Sequence, residues 1–341
     1  MKNVKVITLN GLTNFGNRLQ NYALIKYLNN NFNCNTCNLW NNKYKYEIKM
    51  FVKTLLTGTK KVSRLRRLRN FYEFDKYIPT NINKNSKDII VYGSDQIWNP
   101  EWAADDTLLG LDISGIPKIS YAASFGVDKI DESKKDRFFK ALTNFDGISV
   151  REDKAKEIVD NLIKGKDVEV VLDPTMLLTA SDWDTMCKKP KKINKKRYIL
   201  NYFLGELSDY RKNEIERIAK ENNCEIINIL DINSPFYTSG PSEFLWLEKN
   251  AFLICTDSFH SSVFALLFNR PFVVFDREEK NISQMNSRID TLINKFNLKN
   301  RRYNNKNITN ENLEHDYSEA YLILDEERKK AYNFINKSIN K

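Results

Sequence analysis

The segment Phe252-Leu253-Ile254-Cys255-Thr256-Asp257-Ser258-Phe259-His260-Ser261-Ser262 holds the residues best suited to chemistry. Its apolar run reads as a buried strand. The Asp257-Ser258 pair reads as a cap, and a helix follows. A helix N-terminus in that setting favours an anion, because its first N–H groups and the helix dipole both point at the ligand. His260 falls in the first turn, among the hydroxyls of Ser258, Ser261 and Ser262. Imidazole can trade a proton near neutral pH, so a general acid or a cationic anion ligand is the chemistry to expect there. The chain has only two histidines, and the second, His315, sits in a polar stretch that belongs on the surface. A lone histidine is more often structural; its place at a strand-to-helix switch weighs towards function.

Other strand ends collect polar groups as well, and in open α/β sheets ligands bind beyond the carboxyl ends of the strands. The first strand is followed by Asn10-Gly11-Leu12-Thr13-Asn14-Phe15-Gly16-Asn17-Arg18-Leu19-Gln20-Asn21. Asn14 or Asn17 can cap the next helix. The run is neither G-x-G-x-x-G nor a Gly-Lys-Ser/Thr loop, so it carries no nucleotide fingerprint. A later strand end reads Gly93-Ser94-Asp95-Gln96-Ile97-Trp98-Asn99-Pro100. Carboxylate, amide and indole together suit a polyhydroxylated ligand, although a turn held by an Asx bond around a packed Trp has the same composition. Ser124-Phe125-Gly126 ends another strand, and Arg151-Glu152-Asp153 another. Arg151 could grip a carboxylate or phosphate through two parallel bonds, or pair with a neighbouring acid.

The elements that must position these residues alternate. Strand patterns fall at 4–9, 88–92, 119–123, 147–150, 168–172, 198–204, 225–230, 252–256 and 272–275, with helical patterns between several of them. Many strands are continuous β-branched or aromatic runs, as in parallel sheets covered on both faces. The fold class is therefore α/β, with two Rossmann-like domains facing a cleft. The length of 341 residues suits two domains. A charged, Pro-containing stretch near 179–196 divides an N-terminal domain, 1–178, from a C-terminal domain, 179–341, whose last helix could pack back on the first domain.

Composition narrows the class further. Hydrophobic residues make up 41% and aromatics 12%, enough for a sizeable core. No apolar run spans a membrane, and the first ten residues read as a strand and not a signal peptide, so a cytoplasmic place is expected. The net charge of +10 accompanies a chain rich in lysine throughout. One basic run, 60–69, has Lys60, Lys61, Arg64, Arg66, Arg67 and Arg69 around Val62, Leu65 and Leu68. It could form an amphipathic helix touching the inner membrane face, or a solvated helix face. It lacks the interleaved stacking aromatics of a nucleic-acid module, so no nucleic acid is expected. Cys34 and Cys37 form a lone C-x-x-C with no second pair, which reads as chance and not as a metal or redox site.

Taken in order, Asn14 to Leu24, Gly93 to Asn99, Ser120 to Gly126, Ser149 to Glu152, Leu172 to Thr175 and Thr256 to His260 resemble the motifs of the polysaccharide pyruvyl transferase family. They cover nearly the whole chain. The resemblance implies an architecture like that of the GT-B glycosyltransferases. It also implies phosphoenolpyruvate as co-substrate, a sugar or lipid-linked oligosaccharide as acceptor, a pyruvate ketal as product, and no metal or other cofactor. On that reading His260 is catalytic. Arg151, Asp257, Ser258, Phe259, Ser261 and Arg288 bind the donor. Asn14, Asn17, Gln20, Ser94, Asp95, Gln96, Trp98 and Ser124 bind the acceptor in the first domain. The chain departs from the family where many members carry Arg-Leu-His-Gly: here the residues are Ser258-Phe259-His260-Ser261. Two other readings remain. One is a GT-B glycosyltransferase using a nucleotide sugar, with Asp276 or Glu278 gripping a ribose. The other is a non-catalytic protein that binds anionic ligands.

Overall fold

The computed structural model describes residues 1–39, 52, 60–80, 89–101, 105–193, 197–277, 287–304 and 307–340. Six strands form one sheet: β1 (Lys2–Ile7), β2 (Cys34–Asn38), β3 (Ile89–Tyr92), β4 (Lys118–Ala123), β5 (Gly147–Val150) and β6 (Val168–Val170), in the order β2-β1-β3-β4-β5-β6. Four more form a second: β7 (Tyr198–Tyr202), β8 (Glu225–Asn228), β9 (Leu253–Thr256) and β10 (Phe272–Val274), in the order β10-β9-β7-β8. Every strand pair is parallel. The α/β class and the parallel winding expected from the sequence are both present, and each expected strand coincides with an observed one.

Burial explains which strands read clearly. All residues of β4, β7 and β9 are buried, because helices cover central strands on both faces. Of the edge strands, β2, β6 and β8 are only partly buried, while β10 is buried throughout. β2 was not expected at all: Cys34-Asn35-Thr36-Cys37-Asn38 is poor in β-formers, and it lies at the sheet edge against β1, with Asn38 bridging to Thr80 on its outer side. Residues three apart on a strand face opposite sides, so Cys34 and Cys37 do not converge. Burial pushes the Cys34 thiol above its ordinary pKa.

The described residues divide into two compact units. One comprises those of 1–46, 75–178 and 325–341; the other those of 47–74 and 179–324. The first is built around β1–β6. Its core includes Trp98, Phe125, Phe138 and Phe145. Within it, residues 325–339 of the helix Ser318–Ile339 lie against the sheet's helices and loops. Phe32 stacks on Tyr332 with ring centroids 5.1 Å apart, and Arg328 Nε donates to the Met176 carbonyl at 2.9 Å.

The second unit is built around β7–β10. The basic run falls on its helix Lys61–Phe74. Arg67 does not face solvent there: it is buried, stacks over Phe71 and Tyr237, and donates to the Tyr237 carbonyl at 2.6 Å. Lys60, Arg64, Arg66 and Arg69 stay exposed, and Val62 is 60% exposed. Among the described residues no helix is long and apolar enough to cross a membrane.

Candidate functional site

Two polar clusters form where strands end, one in each unit. In the first unit the helix Phe15–Asn31 starts beyond β1, and Asn14 Oδ1 caps it by accepting from the Asn17 N–H at 3.1 Å. Asn17 is turned inward and donates through Nδ2 to Asp95 Oδ2. Gln20 holds the backbone of the next loop: its Oε1 accepts from the Ser94 N–H at 3.0 Å, and its Nε2 donates to Thr8 Oγ1 at 2.8 Å. Ser94 Oγ donates to Asp173 Oδ2 at 3.0 Å.

Arg151, just past β5, is the hub. Its side chain is 1% exposed; NH1 lies 2.7 Å from Asp173 Oδ2, NH2 3.3 Å from Asp95 Oδ1 and Nε 3.8 Å from Glu152 Oε2. Burial pushes the guanidinium pKa down, but Asp95, Asp173 and Glu152 outweigh it and hold the group charged. One cation thus faces three carboxyl groups. Hydrogen bonds supply further compensation. Ser124 Oγ and the N–H groups of Phe125 and Gly126 donate to Glu152 Oε1 at 2.7, 3.2 and 3.4 Å. The N–H and Oγ of Thr175 donate to Asp173 Oδ1 at 2.9 and 2.7 Å.

Two expectations change here. Arg151 lies in the first unit with its guanidinium engaged by acids of the same unit, so it acts as a strut of this cluster. Trp98 is 0% exposed, wedged against Phe125 and Phe145 at 5.5 Å between ring centroids, so its ring faces are spent in the core and offer no platform to a sugar. Gln20, Ser94 and Ser124 are also fully buried, and they scaffold the loops. Asn14 is exposed, while Asn17, Asp95 and Gln96 keep only slight exposure. Gly93 lets the loop fit: its φ is +123°, and a Cβ there would collide with the Tyr121 carbonyl oxygen. Gly93→Ala is expected to cost about 2 kcal/mol or more. A urea midpoint equal to that of the wild type would contradict this.

In the second unit Asp257 closes β9. Its Oδ1 accepts from the Leu204 N–H at 2.7 Å, and its Oδ2 from the Gly205 N–H at 2.8 Å and from Arg277 Nε at 3.0 Å. The carboxylate therefore clamps the ends of β7 and β10 to β9. This is a structural task, where donor binding had been expected. Ser258 is the N-cap of the helix Phe259–Leu267, but its side chain makes no capping bond; its carbonyl accepts from the N–H and Oγ of Ser262, both at 3.1 Å. His260 is 7% exposed, with the Phe259 ring edge-on at 5.3 Å. Ser261 points into the core and donates to Glu248 Oε1 at 2.6 Å, so its hydroxyl is not offered to a donor. Arg288 is buried at the start of the helix Ser287–Lys295, which packs on the His260 helix.

Sequence reasoning missed Asp173, Arg277 and Glu248. The first two each follow a strand within three residues, so the strand-end rule that found Arg151 could have found them. Glu248 gave no such signal, being a glutamate in the charged last turns of a helix. It is fully buried, and burial pushes its carboxyl well above the usual carboxylate range. A raised folded-state pKa means that stability is full below the unfolded carboxylate value and is lost as pH rises. Glu248→Gln should therefore gain about 1–2 kcal/mol over the wild type at pH 7 and nothing near pH 4. Parallel stability–pH curves would contradict this.

The acid that a nucleotide-sugar reading would need after β10 is committed elsewhere: Asp276 Oδ1 accepts from Arg302 NH2 at 2.6 Å. Glu278 lies outside the described residues. Among the described residues no group of three or more His, Cys, Asp or Glu could hold a metal ion.

The sequence profile of the polysaccharide pyruvyl transferase family matches residues 14–279. A search of curated proteins finds no significant match. Similar solved structures include the UDP-N-acetylglucosamine 2-epimerase from Rickettsia bellii, 14% identical, with 99% of each chain covered and a TM-score of 0.44. Another is a UDP-glucosyltransferase from Polygonum tinctorium, 10% identical, covering 100% of this chain and 99% of that one, with a TM-score of 0.45. MurG from Acinetobacter baumannii is 12% identical, covers 100% of this chain and 95% of its own, and has a TM-score of 0.39. Likenesses this distant say nothing about substrate or mechanism.

Proposed function

Because the chain belongs to the polysaccharide pyruvyl transferase family, we propose that it transfers a pyruvyl group from phosphoenolpyruvate to a sugar of a surface polysaccharide or of its lipid-linked precursor. The observation that carries this reading is the setting of His260. It stands in the first turn of a helix that begins just beyond the carboxyl end of β9.

The chemistry needs a proton on the methylene carbon of the enol ester. Protonation leaves an oxocarbenium-like centre at the adjacent carbon. One sugar hydroxyl adds there and loses its proton. A second hydroxyl then displaces inorganic phosphate, closing a cyclic ketal across two sugar oxygens. His260 is assigned the first proton transfer, for which imidazole is suited. The helix N-terminus favours the anionic donor. Asn14, Asn17, Asp95 and Gln96, the members of the first cluster with some exposure, are assigned to the acceptor hydroxyls.

The test is phosphate release from phosphoenolpyruvate with a panel of glycoside and lipid-linked acceptors. Acceptor-dependent release supports the reading. No release with any acceptor, together with no thermal shift from phosphoenolpyruvate, overturns it. The exposed Lys60, Arg64, Arg66 and Arg69 would suit a lipid-linked acceptor at an anionic membrane face. Sedimentation with anionic vesicles, reversed by salt, is the expected result. Failure to sediment would remove the membrane from the proposal.

A further inference from the structure

The helix Pro241–Asn250 carries a carboxyl group for which the reaction above has no use. Glu248 is 0% exposed. Its Oε1 accepts from Ser261 Oγ at 2.6 Å, and its Oε2 has no hydrogen-bond partner among the described residues. No described ion pair includes it. The ionisable groups of β7 that sense it are the phenols of Tyr198 and Tyr202, which burial keeps protonated. An unpaired carboxylate is too costly at such a place, so the group sits there as the neutral acid. An apolar side chain would fill the same space without the cost of desolvating a carboxyl group. The polar group is explained by its partner.

Ser261 follows His260 directly, in the same first turn, and among the described residues its hydroxyl donates to Glu248. The Ser258 side chain does not cap that turn. The two helices are locked together one turn further on, where Phe244 meets Phe264 edge-on at 6.1 Å. The Glu248–Ser261 bond therefore adds a polar tie at the end of the helix where the imidazole is mounted. We propose that Glu248 is a positioning residue, which through Ser261 fixes the first helical turn and with it the direction of the His260 side chain. The proposal rests on the reading of His260 as the working group of the site, but its test does not need turnover.

The chain's two histidines make the test direct. Imidazole proton–nitrogen correlation spectra of the full chain should show two rings, with His260 assigned through His260→Gln. In Glu248→Ala and Ser261→Ala the His260 signals are expected to move while those of His315 stay in place. Glu248→Gln, which keeps the acceptor oxygen, should restore the wild-type spectrum. Where Glu248→Ala does not fold, Ser261→Ala, which removes one hydroxyl, decides alone. In phosphate release the same two variants should lower kcat by roughly ten- to a hundredfold with KM unchanged. His260 signals that superimpose on the wild type in the foldable variants would overturn the proposal. A wild type that turns over no phosphoenolpyruvate would refute the assigned reaction, and the spectra would still decide the positioning.

Discussion

Replacing His260 by alanine should cut acceptor-dependent phosphate release by about 10²–10⁴-fold, the usual contribution of a positioned general acid. The reaction needs one proton delivered to carbon, and no other described residue of the second unit's cluster has a group suited to it. Asp257 is clamped by three donors, and Ser261 points away into the core. Glutamine is the more informative substitution, because it fills much of the same space and can still hydrogen-bond but cannot deliver a proton. A loss in kcat with KM retained would identify proton transfer. A rise in KM with kcat retained would identify imidazolium as a phosphate ligand, since uniform binding appears in KM alone. Full turnover by His260→Gln would remove His260 from both roles. Urea unfolding of both variants separates a loss of activity from a loss of the fold.

Much of this site was legible in the sequence because strand ends are local. Asp257, Ser258 and His260 stand within four positions of β9, and residue types were enough to mark them. The same rule marked Arg151 but could not say what it holds. Its partners Asp95 and Asp173 lie 56 and 22 positions away, and only the order of β3, β4, β5 and β6 in the sheet brings them together. Trp98 failed for a related reason. An indole among amides and acids reads as a ligand platform until Phe125 and Phe145 are seen to enclose it. β2 failed because an edge strand needs little apolar character, and its asparagines carry no period. Glu248 was invisible because Leu245-Trp246-Leu247-Glu248-Lys249-Asn250 has a charged end like that of any surface helix. Its burial comes from the packing of a neighbouring helix, which local pattern does not encode.

Arg151→Ala should be the most destabilising of these substitutions, at about 3–5 kcal/mol, the range for breaking a buried ion pair from one side. The loss exceeds that of one bond because Asp95, Asp173 and Glu152 would remain together without their cation. Arg151→Lys should recover only part of it. The guanidinium reaches Asp173 through NH1 and Asp95 through NH2, whereas an ammonium is a single point that cannot span both. The pH dependence separates this account from a simple packing defect. In the alanine variant the abandoned acids should hold protons more tightly when folded than when unfolded, so the variant loses stability as pH rises above the ordinary carboxylate range. The gap to the wild type should therefore be widest near neutral pH and should narrow as pH falls towards about 4. Urea unfolding at several pH values reads both quantities. A gap under about 1 kcal/mol at pH 7, or one that does not change with pH, would show that the cluster is not held by charge. The same variant also tests the donor role first expected for Arg151. A ligand of phosphoenolpyruvate should raise its KM and leave the unfolding midpoint alone, whereas a strut should do the reverse, and the 1% exposure of its side chain favours the strut.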